Sequence, residues 1–144
     1  MTREQFIIQC ARYIGTPYIW GGDDPKVGID CSGLAQIILG LMHLDPPGDQ
    51  AAEGLMEYFK ANGTQRPSNF SGDLGDICFF GHPEKATHVT IALNADLMIE
   101  AGGGDHTCTT PEIARARGAQ VKISPITRRS DLICIIRPNG MVFQ

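Results

Sequence analysis

Cysteine and histidine are the side chains best suited to covalent acyl chemistry near neutral pH, and this sequence holds five of one and four of the other. Cys31 stands apart. It lies between Asp30 and Ser32, after a turn-rich stretch (Gly21, Gly22, Asp23, Asp24, Pro25, Gly28). Leu34, Ala35, Ile37, Ile38, Leu41 and Met42 follow at helical spacing. The pattern predicts that a loop becomes a buried helix at Cys31. A helix start carries partial positive charge and unpaired N–H groups. Both favour a thiolate, and the same N–H groups can steady the oxyanion formed when it attacks a carbonyl. The plainer alternative is a small buried hydrophobe, the ordinary role of a free cysteine; Asp, Ser and Gly as neighbours argue against it. Cys10, Cys78 and Cys134 lie inside apolar patterns and are expected to be packed and inert, while Cys108 falls in a polar loop. The odd count and the lack of a C-x-x-C pair suggest neither a disulfide framework nor a metal site.

A cysteine nucleophile usually needs a histidine beside it. His43 falls at the end of the predicted Cys31 helix, a place for capping or solvent. His82 lies in a Gly-His-Pro turn and His106 in a glycine-rich loop. His88 opens a predicted strand, in which Val89, Ile91 and Leu93 alternate with His88, Thr90 and Ala92. Leu97 and Ile99 alternate likewise with Met98 and Glu100, and Asn94-Ala95-Asp96 separates the runs as a hairpin turn does. A hairpin symmetric about Asn94 sets Thr90 opposite Met98 and His88 opposite Glu100, with Cβ atoms roughly 4.5–5.5 Å apart on one face. A carboxylate there accepts the ring N–H and fixes its tautomer. The pattern nominates Cys31 as nucleophile, His88 as base and Glu100 as the orienting residue. The alternative is an exposed His–Glu cross-strand pair without chemistry, and a one-residue register slip would defeat the pairing.

These positions need a scaffold. Thr2 and Gln5 have capping-box spacing, and Phe6, Ile7, Cys10, Ala11 and Ile14 repeat as a helical face ended by Gly15 and Pro17. The Cys31 helix is expected to reach about Leu44, stopped by Pro46, Pro47 and Gly48. Asp49 can cap a third helix, with Ala52, Leu55, Met56 and Phe59 along one side. Beyond Pro67 come short apolar runs at 77–80, 89–93, 97–101, 121–123 and 132–136, divided by turn residues. Pro111 to Arg117, capped by Thr110, reads as a short helix among them. Helices first and strands second predict an α+β fold, with N-terminal helices packed on an antiparallel sheet of about five strands. A length of 144 residues suits one domain, residues 1–144.

Composition narrows the function. Hydrophobic residues make up 42% and charged residues 19%, an ordinary globular balance. A net charge of -4 gives no electrostatic footprint for nucleic acid or an anionic membrane. No apolar run approaches the ~20 residues that span a bilayer. Met1 to Gln9 lacks the charged start and apolar run of a signal peptide, so the chain is expected in the cytosol as synthesised, unless something else releases it.

The motifs occur in a familiar order. G-T-P-Y-I-W-G-G (Gly15 to Gly22) followed by D-C-S-G-L (Asp30 to Leu34) resembles the nucleophile region of NlpC-type cysteine peptidases. Gly72 to Asp76 with Cys78-Phe79-Phe80 resembles their turn and strand, and Thr87-His88-Val89-x-Ile91 their base-bearing strand. The likeness runs from about Phe6 to Ala101; D-C-S-G alone would be weak, but the ordered set is strong. Met98 to Gly104, M-I-E-A-G-G-G, resembles phage-associated and prophage-encoded members.

The resemblance implies a papain-like α+β fold that cleaves bacterial cell-wall peptides, typically between γ-D-glutamyl and a diamino acid, with no cofactor. It implies Cys31 as nucleophile and His88 as base, with Tyr18, Asp30 and Ser32 holding the substrate beside the thiol. Packing of Tyr18 on Trp20, and helix capping by Asp30 and Ser32, are the plainer roles. The third catalytic position is most often histidine in the family; here it is Glu100, with His106 as the other candidate. The glycine usual two residues after the base is Thr90, expected to narrow the cleft from the His88 face. Implied partners are peptidoglycan stem peptides and, for a phage protein, tail components. A released lysis enzyme, a virion component and a cytosolic recycling enzyme all fit. An amidase, an acyltransferase and an assembly protein with a vestigial site are the rivals.

Overall fold

In a computed structural model, which describes all 144 residues, the chain opens with the capping box its spacing predicts. The Thr2 hydroxyl accepts from Gln5 N, the Gln5 side chain accepts from Thr2 N, and α1 (Arg3–Ala11) follows. Within the turn-rich loop, β1 (Asp23–Asp24) and β2 (Gly28–Ile29) form a small antiparallel ribbon that delivers the chain to α2 (Cys31–Gly40). This helix ends four residues short of Leu44, in turns that pass through His43 at φ 58. The third helix, α3 (Ala52–Ala61), starts later than expected and is not capped by Asp49. Its N-cap is Ala51, with no side-chain cap, because the preceding loop is tied to α2 instead: Gln36 Oε1 accepts from Gln50 N at 2.9 Å.

The strands are β3 (Gly63–Gln65), β4 (Ile77–His82), β5 (Lys85–Ala92), β6 (Leu97–Gly102), β7 (Gln120–Pro125) and β8 (Leu132–Pro138). They form one antiparallel sheet in the order β3-β8-β4-β5-β6-β7. Five match the apolar runs; β3 is short and polar and gave no alternation to read. Between β6 and β7 lies α4 (Pro111–Arg117), capped by the Thr110 hydroxyl on Ile113 N and closed by Gly118 in the left-handed conformation. A 3-10 turn, Ile126–Arg128, follows β7.

One face of the sheet (Ile77, Phe79, Val89, Ile91, Ile99) buries against Leu34, Ile38 and Leu39 of α2 and Leu55, Met56 and Phe59 of α3. Each such side chain contributes about 1.5–3 kcal/mol by leaving water. The other face packs Cys78, Phe80, Ala92 and Met98 beneath Ile126. This two-layer packing fixes α2 across β5, which brings a helix start to a strand.

The β5–β6 register corrects the expected hairpin by two residues. Ile91 pairs with Ile99 and Ala92 with Met98, so the connection centres on Ala95 rather than Asn94. The cause is local: Asn94 Oδ1 accepts from Asp96 N and Leu97 N, both at 2.8 Å, and Leu93 N donates to Leu97 O. That Asx turn uses the asparagine as part of the loop's frame. Because the slip is even, every side chain keeps its face.

Candidate active site

Asp30 builds the start of α2. Its Oδ1 accepts from Gly33 N at 2.7 Å and from the Ser32 hydroxyl at 3.2 Å, and its Oδ2 accepts from Gly21 N at 3.2 Å. One carboxylate thus caps the helix and pins the loop before it. Gly33 is needed there, since a Cβ would meet Gly22 O at 2.5 Å. Cys31 is the first helical residue and only partly exposed. Burial pushes its thiol up to about 11. A bond from the Val89 backbone N–H works against that shift, the Asp30 charge adds to it, and the N–H groups of Ser32 and Cys31 oppose it. Such a thiol is almost wholly protonated at neutral pH, so a nucleophile has to be made by proton transfer to a base.

His88 is 7% exposed, and its Nε2 lies 2.8 Å from Glu100 Oε1. With a proton on Nε2 donated to that carboxylate, Nδ1 is the nitrogen left to accept one. The two residues meet diagonally across β5 and β6, a consequence of the two-residue register change. Glu100 is fully buried. Arg128 grips it as a fork, Nη2 to Oε1 at 2.7 Å and Nε to Oε2 at 3.0 Å. Burial pushes the Glu100 carboxyl up, but hydrogen bonds from His88, Arg128 and Ser124 outweigh it and hold the group at about 2. Glu100, and not His106, is the partner of His88; His106 is exposed and sits edge-on to Trp20, ring centres 6.2 Å apart. His82 is exposed, and His43 follows the far end of α2.

Tyr18 is 5% exposed, with its ring against Gly104, where any Cβ would collide with it. Burial pushes its phenol up. Cys108, unplaced by the sequence, is fully buried and holds this loop, its Sγ donating to Tyr18 O at 3.2 Å while Trp20 N donates to Cys108 O. Thr90 does not narrow the cleft: it is 1% exposed, and its hydroxyl donates to the Met98 sulfur at 3.2 Å. All five cysteines are free, and no group of three His, Cys, Asp or Glu side chains is placed to hold a metal ion.

Two chambers meet at the thiol, sharing Tyr18, Trp20, Cys31 and Thr87. One, of about 420 Å³, adds Asp30, Ser32, Glu53 and Lys85. The other, of about 300 Å³, adds His88, Gly102, Gly103, Gly104, Asp105, Arg128 and Arg129. So Cys31 and His88 open into one space, with Tyr18 at its side and Asp30 and Ser32 across the thiol. Sequence reasoning missed both arginines, Ser124 and the Val89 N–H. The Arg128-Arg129 pair was visible as charge after the fourth apolar run, but nothing in its spacing tied it to a glutamate 28 residues earlier.

The family model described as NlpC/P60 matches residues 15–124. The bifunctional muramidase/DL-endopeptidase CwlT of Bacillus subtilis (strain 168) is 33% identical over 101 residues, which are 68% of this chain and 29% of that protein. The chain spans between 17% and 29% of the length of the curated relatives it matches. The solved NlpC/p60 domain of the peptidoglycan hydrolase SagA superposes with a TM-score of 0.67 at 26% identity, covering 94% of this chain and 98% of that one. RipD of Mycobacterium tuberculosis, a non-catalytic NlpC/p60 domain protein adapted to peptidoglycan binding, shares the fold at TM-score 0.67 and 21% identity, over 94% and 95% of the two chains. With the capped Cys31 helix and the His88 strand both inside the matched span, this chain belongs to the NlpC/P60 family.

Proposed function

We propose that the chain, residues 1–144 acting as one peptidase domain, is a cysteine endopeptidase that hydrolyses an amide bond in bacterial peptidoglycan stem peptides, between γ-D-glutamyl and a diamino acid. One observation carries this reading: Cys31, at the first turn of α2, opens into the same chamber as His88, whose ring is held by a sealed glutamate. His88 takes the thiol proton and the sulfur attacks the carbonyl carbon. Backbone N–H groups at the start of α2 meet the charge that moves onto the carbonyl oxygen. The imidazolium then protonates the leaving nitrogen, the C–N bond breaks, and a thioester remains. Water, deprotonated by His88, hydrolyses it to the acid and returns the thiol. Glu100 orients the ring throughout, and Arg128 offsets the glutamate's charge. These steps call for no metal or organic cofactor.

Tyr18, Asp30 and Ser32 hold the acyl half of the substrate; Asp30, tied down by its own cap bonds, still offers a negative charge to a free amine. A phage or prophage source belongs to the same proposal, on the resemblance of Met98 to Gly104, with tail components as partners and release from the cytosol as the route to the wall. The test is Cys31→Ala on purified peptidoglycan. The native protein should release new amines, and the variant should release none while melting at the native temperature. Amine release by the variant, or none by the native protein, would sink the reading.

A further inference from the structure

The chamber that holds His88 carries two arginines, each bound along one edge only. Arg128 places Nε and Nη2 on Glu100 at 3.0 and 2.7 Å, and Arg129 places Nε and Nη2 on Asp131 at 2.8 and 2.6 Å. Nη1 of each makes no hydrogen bond. Neither side chain is sealed: Arg128 is 41% and Arg129 27% exposed. Each carboxylate edge fixes the guanidinium plane, so the free edge is held in place at little further entropy cost. Gly102 to Gly104 line the same chamber. Asp105 is the chamber's acid, already bound to Arg117 at 3.1 Å and to Thr107.

Chemistry says which half of the substrate enters here. A general acid must reach the leaving nitrogen, so the leaving half occupies the chamber lined by His88. This step rests on the peptidase reading above. We propose that Arg129, with the free edge of Arg128 beside it, binds a carboxylate carried by the leaving amino acid. Planar, permanently charged guanidinium donors suit that group better than any neutral one. The carboxylate has two sources: the side chain of a diaminodicarboxylic acid, or the free C-terminus of a tripeptide stem. Arg129 is the cleaner reporter, because Arg128 also supports Glu100.

The experiment measures kcat/KM on L-alanyl-γ-D-glutamyl-meso-diaminopimelate and on its forms amidated at the side-chain carboxyl, at the C-terminal carboxyl, or at both. For the native protein, one single amidation should lower kcat/KM at least tenfold, and which one does so names the source. Arg129→Gln should bring the free peptide down to the amidated level and erase the preference, while Arg129→Lys should recover part of it. Native hydrolysis of all forms within twofold, or a preference that survives Arg129→Gln, overturns the proposal and leaves the peptidase reading standing. No hydrolysis of any form overturns both. The amidation series uses the native protein, so an unfolded variant does not leave the question open.

Discussion

Asp76 and Glu100 are both fully withdrawn from solvent, yet their partners differ in kind. Asp76, in the turn before β4, accepts from Arg66 Nε and Nη2 at 3.1 and 3.2 Å, from Arg137 Nη1 at 3.1 Å and from Asp73 N at 3.0 Å. Its partners are a backbone amide and two guanidiniums that keep their charge at any working pH. They knit the turn to β8 and to the residue after β3. Glu100 has its guanidinium and its serine, but its remaining partner is an imidazole. One end of that ring is fixed by the carboxylate, and the other faces a chamber containing a thiol. A buried ion pair by itself says little about chemistry. A buried carboxylate that holds a proton-exchanging ring in place says much more.

The comparison can be broken at either carboxylate. Removing one partner of a buried charge pair costs about 3–5 kcal/mol. Asp76→Asn should fall near the lower figure, since Arg66 and Arg137 can turn partly to water. The folded fraction should keep kcat/KM within twofold, read by urea unfolding beside peptide hydrolysis. If activity falls out of proportion to stability, the two carboxylates are not separable in the way drawn above. Glu100→Ala should lose stability to a similar degree and, unlike Asp76→Asn, should also lose roughly 10²-fold in kcat/KM as the ring loses its orienting acceptor, with Glu100→Gln losing less.

Its stability effect carries a sign of its own. Glu100 is held at about 2, below the ~4.3 of a free glutamate, so its ionised form stabilises the fold fully above that free value. The gap between native and Glu100→Ala stability, on the order of 3 kcal/mol at neutral pH, should therefore close as pH falls from about 4.5 to about 2. A gap that stays constant on acidification would show that the glutamate's buried volume matters there more than its charge.

The contrast also shows what the sequence could reveal. Cys31, His88 and the face shared by His88 and Glu100 were legible, because a helix start and a period-two strand are local patterns. The hairpin centre was misplaced by one residue, since Asn94 reads equally well as a turn centre and as an Asx acceptor. The register error did no harm to the site, because an even slip preserves the face. Asp49 failed as a cap for a non-local reason, the grip of Gln36 on Gln50. Arg128 and Arg129 were beyond reach for a similar one. Their place beneath His88 depends on β7 pairing with β6, Leu97 to Pro125, and on the 3-10 turn that follows. No local periodicity encodes that return.

Arg128 gives the finest test of the comparison, because it is what makes the Glu100 cluster resemble the Asp76 cluster at all. With the guanidinium in place, the carboxylate facing His88 is half of an ion pair and acts on the ring mostly through its hydrogen bond. In Arg128→Met the carboxylate loses both its counterion and the fork that fixes its plane, so the ring loses a rigidly placed acceptor. kcat should fall, by less than the roughly 10²-fold expected for Glu100→Ala. Arg128→Lys, which keeps the charge but not the fork, should fall less. Loss of substrate binding alone would raise KM and leave kcat where it was, so the two roles of this arginine separate in one kinetic series. A kcat that does not move in Arg128→Met would mean that Glu100 needs its arginine only as Asp76 needs its own.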